Sequence, residues 1–267
     1  MERAEVVARH PYQWRRAWKA LRVLIRDPKQ TDQVFEVLEA LSGGSFEHQF
    51  QHFAADPGGR RLLAEKPALL AMLSDRDALR TLPDGSLGRA YLAFMESGSL
   101  TADGLVEADA VAAERNPNPP AHQRDADREF YGDRRRDIHD LWHVLTGYGM
   151  DEAGEAANLA FTFGQIPSLG LGLIVIAGAI IGPKTPRLGW ERYLFRAWRR
   201  GCRASDLTTA PYEELLALPL EDVRLRLGIE APSIAHPEGI IVGNRDDEST
   251  DVASPPSPPV GYQTAAA

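Results

Sequence analysis

Cysteine is almost missing, with Cys202 the only one in 267 residues. A lone thiol excludes an internal disulfide framework and a thiolate-based structural zinc clip, and it fits a reducing compartment. Positive charge is also short. Thirty Lys and Arg stand against thirty-eight Asp and Glu, a formal net charge of −8, and no basic run exceeds three residues. That balance argues against a nucleic-acid partner. Strand patterns are scarce, since apolar and polar residues do not alternate ahead of residue 136 and valine and threonine are sparse there. There is no internal repeat. Met1-Glu2-Arg3-Ala4-Glu5 carries two early acids and no apolar core. The expectation is therefore no signal or transit peptide and a cytoplasmic protein. The longest uncharged run, within 165–183, is shorter than the roughly 20 residues of a spanning helix.

What is present reads as globular. Hydrophobic residues make up 43% and charged residues 25%, ordinary usage for a packed domain. The length allows one large domain or two small ones. Helical periods dominate. Trp14, Trp18, Leu21 and Ile25 recur at helical spacing, with Arg15, Arg16, Lys19, Arg22 and Arg26 on the other faces. Such a helix either lies on a membrane surface or packs its tryptophans on the core. Asp27-Pro28 breaks it. Further helices follow through Val34–Leu41, Phe46–Phe53, Pro67–Leu73 and Leu87–Ser97, the last capped by Ser86. From Thr101 to about Asp127 the chain is Ala-, Asp- and Pro-rich, a surface connection.

That connection leads into the densest group of chemistry-bearing residues. His139 and His143 are four apart, so a helix stacks them on one face. Asp140 borders that face. Glu155 follows after eleven residues that include Gly147 and Gly149, where a helix can stop and turn; Asp151 can cap the next one. Two imidazoles and two carboxylates then have one divalent ion within reach. The bland alternative is that His139 bonds a carbonyl and Asp140 pairs with Arg134, Arg135 or Arg136. Nitrogen and oxygen donors without thiolate suit Zn²⁺ first, with Fe²⁺ or Mn²⁺ also accommodated. The pattern is not the His-Glu-x-x-His of metalloproteases, because Asp140 stands where their general base would be.

Residues 169–182 are apolar on every side, so this helix sits in the core, lines a greasy pocket, or does both. Leu171, Ile174, Val175 and Gly178 are its candidate lipid-tail contacts. Trp190 to Gly201 carries an aromatic face and an arginine face. Arg136, Arg196 and Arg200 are candidates for an acidic head group. From Ala231 the composition turns to Pro, Ser, Asp and Ala. The expected layout is a lead over 1–10, a helical domain over 11–230 and a disordered tail over 231–267. The expected fold is all-α: one multi-helix domain, a metal site on a helix-turn-helix, and an apolar lipid-binding tunnel or groove.

The spacing His139-Asp140-x-x-His143, eleven residues, then Glu155 resembles the signature of the coenzyme Q biosynthesis protein four family. The likeness extends to Asp27-Pro28 with Gln33-Val34-Phe35, Gly85-Ser86-Leu87-Gly88-Arg89, Arg136-Asp137-Ile138 and Trp190-Glu191-Arg192. It continues through Glu213-Glu214-Leu215, Leu220-Glu221-Asp222-Val223-Arg224 and Leu227-Gly228-Ile229, and so covers roughly residues 20 to 230. The resemblance implies an all-helical protein peripheral to the inner membrane, with a zinc-type metal on His139, Asp140, His143 and Glu155. It implies a polyprenylated hydroxybenzoate substrate that loses its ring carbon 1 carboxyl during ubiquinone synthesis, with an oxidative route that leaves a hydroxyl as a variant. In such a step Asp140 and Glu155 are the candidate catalytic residues, either one as the proton shuttle. It also implies other ubiquinone-biosynthesis enzymes as partners. A homodimer is compatible with it. Two rivals stand beside this expectation: a non-enzymatic, lipid-binding organiser of that pathway, and, more weakly, a helical phosphohydrolase using further ligands such as His48, His52 or His122.

Overall fold

Two helices meet closely at the centre because glycines remove side chains where they cross. A Cβ on Gly164 would lie 2.5 Å from the Trp198 carbonyl oxygen, and one on Gly201 would lie 2.1 Å from that of Phe161. These are the helices Glu152–Gln165 (α10) and Trp190–Arg203 (α12). Alanines complete the contact, with Ala157, Ala160 and Ala197 all fully buried. The computed structural model describes residues 11–26, 30–98, 125–182 and 189–242. The expected lead over 1–10, the Asp27-Pro28 break, most of the connection after Thr101 and the tail beyond 242 lie outside them.

The described residues form one helical domain with no strand. In chain order the first seven helices are α1 (Trp14–Arg26), α2 (Thr31–Ala40), α3 (Ser45–Ala55), α4 (Pro57–Glu65), α5 (Leu69–Ser74), α6 (Arg76–Thr81) and α7 (Leu87–Ser97). Then come α8 (Ala126–Asp137), α9 (His139–Thr146), α10, α11 (Leu169–Ile181), α12, α13 (Tyr212–Leu215), α14 (Leu220–Arg226) and α15 (Pro232–Ala235). The largest apolar cluster joins α5 to α7, α9, α10 and α12 to α14. A second holds Phe46, Phe50, Phe53, Leu62 and Tyr131. A third packs Ala17, Ala20 and Leu21 of α1 on Val37, Ala40 and Leu41 and on Ile174 of α11.

That third cluster decides how α1 sits. Its small residues face the protein, while Trp14 and Trp18 are 55% and 59% exposed. Arg15, Lys19, Arg22 and Arg26 are exposed beside them. Arg16 instead turns to Glu36 (2.6 Å) and Glu39 (2.8 Å) on α2. The tryptophan face therefore does not pack on the core.

Helix α11 also differs from its expected use. Leu171 is buried, and Ile174 is consumed by packing on α1 and α2. Val175 leans on the main cluster, and the Gly178 carbonyl accepts a 3.0 Å bond from Trp190 Nε1. Leu171 and Ile174 thus contact protein rather than standing open to a lipid tail. An all-apolar helix gives no signal of which face is covered. The outward face is Ile176 and Ile180, 58% and 79% exposed.

The boundary expected at residue 230 moves to at least 242. Residues after Glu230 pack back on the domain: Pro232 abuts Gly147, Ile240 and Ile241 join the main cluster, and His236 is 2% exposed. Polar composition concealed this because one histidine holds the segment. His236 Nε2 meets the Tyr148 hydroxyl at 2.9 Å. Burial first, then the charges of Arg200 and Arg196, pushes the His236 pKa down from 6.5 to about 4. The folded state thus favours the neutral ring, and in the window between those values the unfolded chain binds more protons. This stability is present above about pH 6.5 and lost as pH falls toward 4, with an upper bound of about 3 kcal/mol. Urea unfolding across that window is expected to show the slope in the wild type and a flatter one in His236→Gln.

Candidate metal centre

Short-range chemistry builds the centre. Asp125 caps α8 by accepting from the amides of Asp127 and Arg128. The chain passes through Ile138 into α9 almost without a break, since Ile138 N bonds Arg134 O and Trp142 N bonds Ile138 O. Gly147 ends α9 at φ +77°, a conformation that only glycine adopts without strain, and its amide returns to the His143 carbonyl. Asp151 then caps α10 through Ala153 and Gly154, which puts Glu155 in its first turn.

Eight residues make a short helix, and its C-terminal carbonyls need partners. All four receive one. Gly147 N serves His143 O, and Arg224 donates Nη2 to Val144 O (3.0 Å) and Nε to Leu145 O (2.8 Å). Arg200 donates Nη1 to Thr146 O (2.8 Å). Arg200, expected to face a substrate acid, is instead 2% exposed, bonds the carbonyls of Thr146 and Glu230 and lies over the Tyr148 ring. Of the other two candidates, Arg136 is engaged by Asp133 (3.0 Å) and Asp137 (3.5 Å), and Arg196 by Glu238.

The structure brings His139, His143 and Glu155 together, with one ligand atom from each lying within 4.8 Å of the others. The two rings are 4.9 Å apart at 65°. His143 Nδ1 is 3.1 Å from the Tyr148 carbonyl, so Nδ1 carries the proton. Its Nε2 lone pair then faces Glu155 Oε2 at 3.3 Å, buried and without a hydrogen-bond donor among the described residues. Two acceptors held this close call for a cation between or beside them. His139 is set in the same sense: Asp140 Oδ1 lies 3.1 Å from Nδ1, which leaves Nε2 as an acceptor. Asp140 thus orients a histidine from behind rather than joining the three-residue group. Carboxylate–histidine pairs of this kind fix the tautomer of metal ligands. The donor set and the orphaned nitrogen both fit a divalent ion.

Electrostatics agree with the geometry. Burial would lower the His139 pKa, but Asp140 and Glu155 outweigh it and raise it. Burial would raise that of Glu155, yet His143 and His139 hold it below the usual carboxylate range. Asp137, nearly covered, is pushed up to about 6, mainly by burial and against the pull of Arg136. Phe94 of α7 stacks on His143 with centroids 5.4 Å apart. His143 is sealed at 1% exposure, whereas the Glu155 side chain is 43% exposed. The centre is therefore open to solvent on the Glu155 side. Sequence reasoning passed over Asn158, fully buried with one amide end 3.5 Å from His139 Nε2. Its spacing of three from Glu155 was the available signal.

The family model for coenzyme Q (ubiquinone) biosynthesis protein Coq4 matches residues 14–233. The mitochondrial ubiquinone biosynthesis protein COQ4 of Pyricularia oryzae is 29% identical over 210 residues, covering 77% of this chain and 65% of its own. That of Yarrowia lipolytica is 29% identical over 209 residues, 77% of this chain and 75% of its own. The match thus spans slightly less than two thirds of the Pyricularia protein. The crystal structure of a candidate ubiquinone biosynthesis protein from Nostoc punctiforme PCC 73102 superposes with a TM-score of 0.59 at 20% identity, over 83% of this chain and all of that one. It shares the fold. The two fungal relatives are named mitochondrial, so the cytoplasmic expectation draws no support from them. No helix among the described residues is long and apolar enough to cross a membrane. With more than half its length matched to the model, the chain belongs to the Coq4 family of coenzyme Q (ubiquinone) biosynthesis proteins.

Proposed function

We propose that this chain acts in ubiquinone biosynthesis as a metal-dependent decarboxylase, taking the carboxyl group from ring carbon 1 of a polyprenylated hydroxybenzoate. The observation that carries this reading is the orphaned His143 Nε2 facing Glu155 Oε2 at 3.3 Å beside His139. His139, His143 and Glu155 would hold the ion, Zn²⁺ first and Fe²⁺ or Mn²⁺ as substitutes. Once bound, the ion supplies Lewis acidity to a head-group oxygen. The chain supplies the rest. Asp140 and the Tyr148 carbonyl fix the two tautomers. Phe94 excludes water from the His143 side. The bond from ring carbon to carboxyl breaks, carbon dioxide leaves, and the ring carbon keeps the electron pair and takes a proton. Glu155, partly open to solvent, is the carboxylate best placed to relay it. An oxidative version instead requires a two-electron oxidant and leaves a hydroxyl at that carbon.

The lipid tail and the membrane enter through the outer surface. Trp14 and Trp18 on α1 are exposed among basic residues, and Ile176, Ile180 and Phe195 are exposed on α11 and α12. Aromatic and basic side chains on one helix suit an anionic bilayer surface. The same surface supports the second reading, a lipid-binding organiser that presents intermediates to other pathway enzymes. Purified, Zn²⁺-loaded protein given a prenylated hydroxybenzoate, with and without oxygen, separates the two. Release of carbon dioxide and a decarboxylated or hydroxylated ring is the expected result. Tight binding of the substrate without turnover in either atmosphere would leave the organiser.

A further inference from the structure

The side-chain amide of Asn158 has no evident purpose in packing. It lies on α10 among Ala157, Ala160 and Phe161, all fully buried, where an apolar residue would fill the space without a polar group to satisfy. Asn158 is itself 0% exposed. Its Oδ1 is buried and accepts no hydrogen bond from the described residues. Leaving an amide oxygen in that state costs about 1–3 kcal/mol. The other end of the amide, Nδ2, lies 3.5 Å from His139 Nε2. A half-turn about the last torsion exchanges the two ends, which are nearly the same size, so the amide turns without a change in packing. The turned amide places its oxygen beside His139 Nε2, next to the two other acceptors.

We infer that Asn158 is a fourth protein ligand, its amide oxygen joining His139 Nε2, His143 Nε2 and Glu155 around the ion. The inference rests on the metal reading of this centre. Asn158 follows Glu155 by three residues, so one helical face carries both oxygen donors, while α9 carries both nitrogen donors. The set is two imidazoles, one carboxylate and one neutral amide. With a single negative ligand a divalent ion keeps a net positive charge, which preserves its pull on a substrate oxygen. An aspartate in the same place would neutralise it. Hard oxygen donors beside imidazole also favour Zn²⁺, Fe²⁺ or Mn²⁺ over soft ions.

The test uses the full chain stripped of metal. Zn²⁺ affinity is measured by competition with a chromophoric chelator, and coordination by the visible spectrum of the Co²⁺ form. Asn158→Leu, close in volume, is expected to weaken Zn²⁺ by at least about 10-fold and to change the Co²⁺ spectrum, which loss of a residue that only orients a ligand would leave nearly unchanged. Asn158→Asp keeps an oxygen in place and is expected to bind at least as tightly as the wild type. It also carries the test if the leucine variant does not fold. Wild-type affinity and spectrum in Asn158→Leu would overturn the proposal. So would an equal loss in Asn158→Asp, which would show that the amide N–H, not the oxygen, is what the site uses. His143→Ala serves as the reference. If it abolishes binding while Asn158→Leu does not, only the fourth ligand fails. If the wild type itself binds neither ion, the metal reading fails with it.

Discussion

His143→Ala is expected to weaken Zn²⁺ binding by more than about 100-fold, beyond the 10- to 100-fold typical of residues that only orient a ligand. The reason is geometric. His143 contributes the most enclosed donor of the group, and the Tyr148 carbonyl leaves its Nε2 with no role except to accept a cation or proton. Water does not replace it, because the position is sealed beneath Phe94. The readout is thermal: an ion present at 100 times its dissociation constant stabilises the wild type by about 2.7 kcal/mol. The same addition should leave the variant unmoved. Because removing a buried ring also opens a cavity, His143→Gln belongs beside it, and the comparison is each variant with and without Zn²⁺. A variant that keeps stoichiometric, tight Zn²⁺ binding would remove the basis for a metal centre here.

Arg224→Met should give the largest loss of stability of any substitution that touches neither a ligand nor an apolar core residue. Arg224 is 9% exposed, and its guanidinium serves two buried carbonyls at the end of α9. Methionine fills much of the volume but donates nothing, so both carbonyls are left unpaired at about 1–3 kcal/mol each. A cost of about 3–5 kcal/mol corresponds to roughly 10 °C in Tm for a domain of this size. Arg226→Met, two residues on and exposed, is expected to stay within about 0.5 kcal/mol. Denaturant melts on the metal-free proteins read this directly. If both variants unfold alike, the carbonyl caps contribute little and α9 is held by its apolar face alone.

These two expectations show how unevenly the molecule could be read in advance. The proximity of His139, His143 and Glu155 was legible because its signals are local: four-residue spacing on one helix, a glycine turn, an aspartate cap, and a glutamate in the next first turn. The all-helical fold was legible for the same reason, since the apolar periods of α2, α3, α7 and α10 lie within single segments. What failed were assignments that depend on distant partners. Arg200 and Arg196 look equivalent on one helix face, yet one is buried on carbonyls and the other meets Glu238 at the surface. Asp140 lies behind His139 and outside the three-residue group, a placement that follows from side-chain direction rather than spacing. On α1 the sequence left open whether the tryptophans pack on the core, and the answer lies with α2, which Ala17, Ala20 and Leu21 allow to approach closely while Trp14 and Trp18 stay exposed. His236 held a segment whose composition resembled a free tail.

The arginine caps of α9 also have a consequence in time. A chain is made from its N-terminus, and α9 leaves the ribosome well before its donors do. The carbonyls of Val144, Leu145 and Thr146 wait for side chains 80, 79 and 54 residues further along. Until those arrive, the helix with both histidines has open carbonyls and a free end. A product ended before Arg200 would carry the His-Asp-x-x-His motif on a helix whose last carbonyls lack their arginine partners.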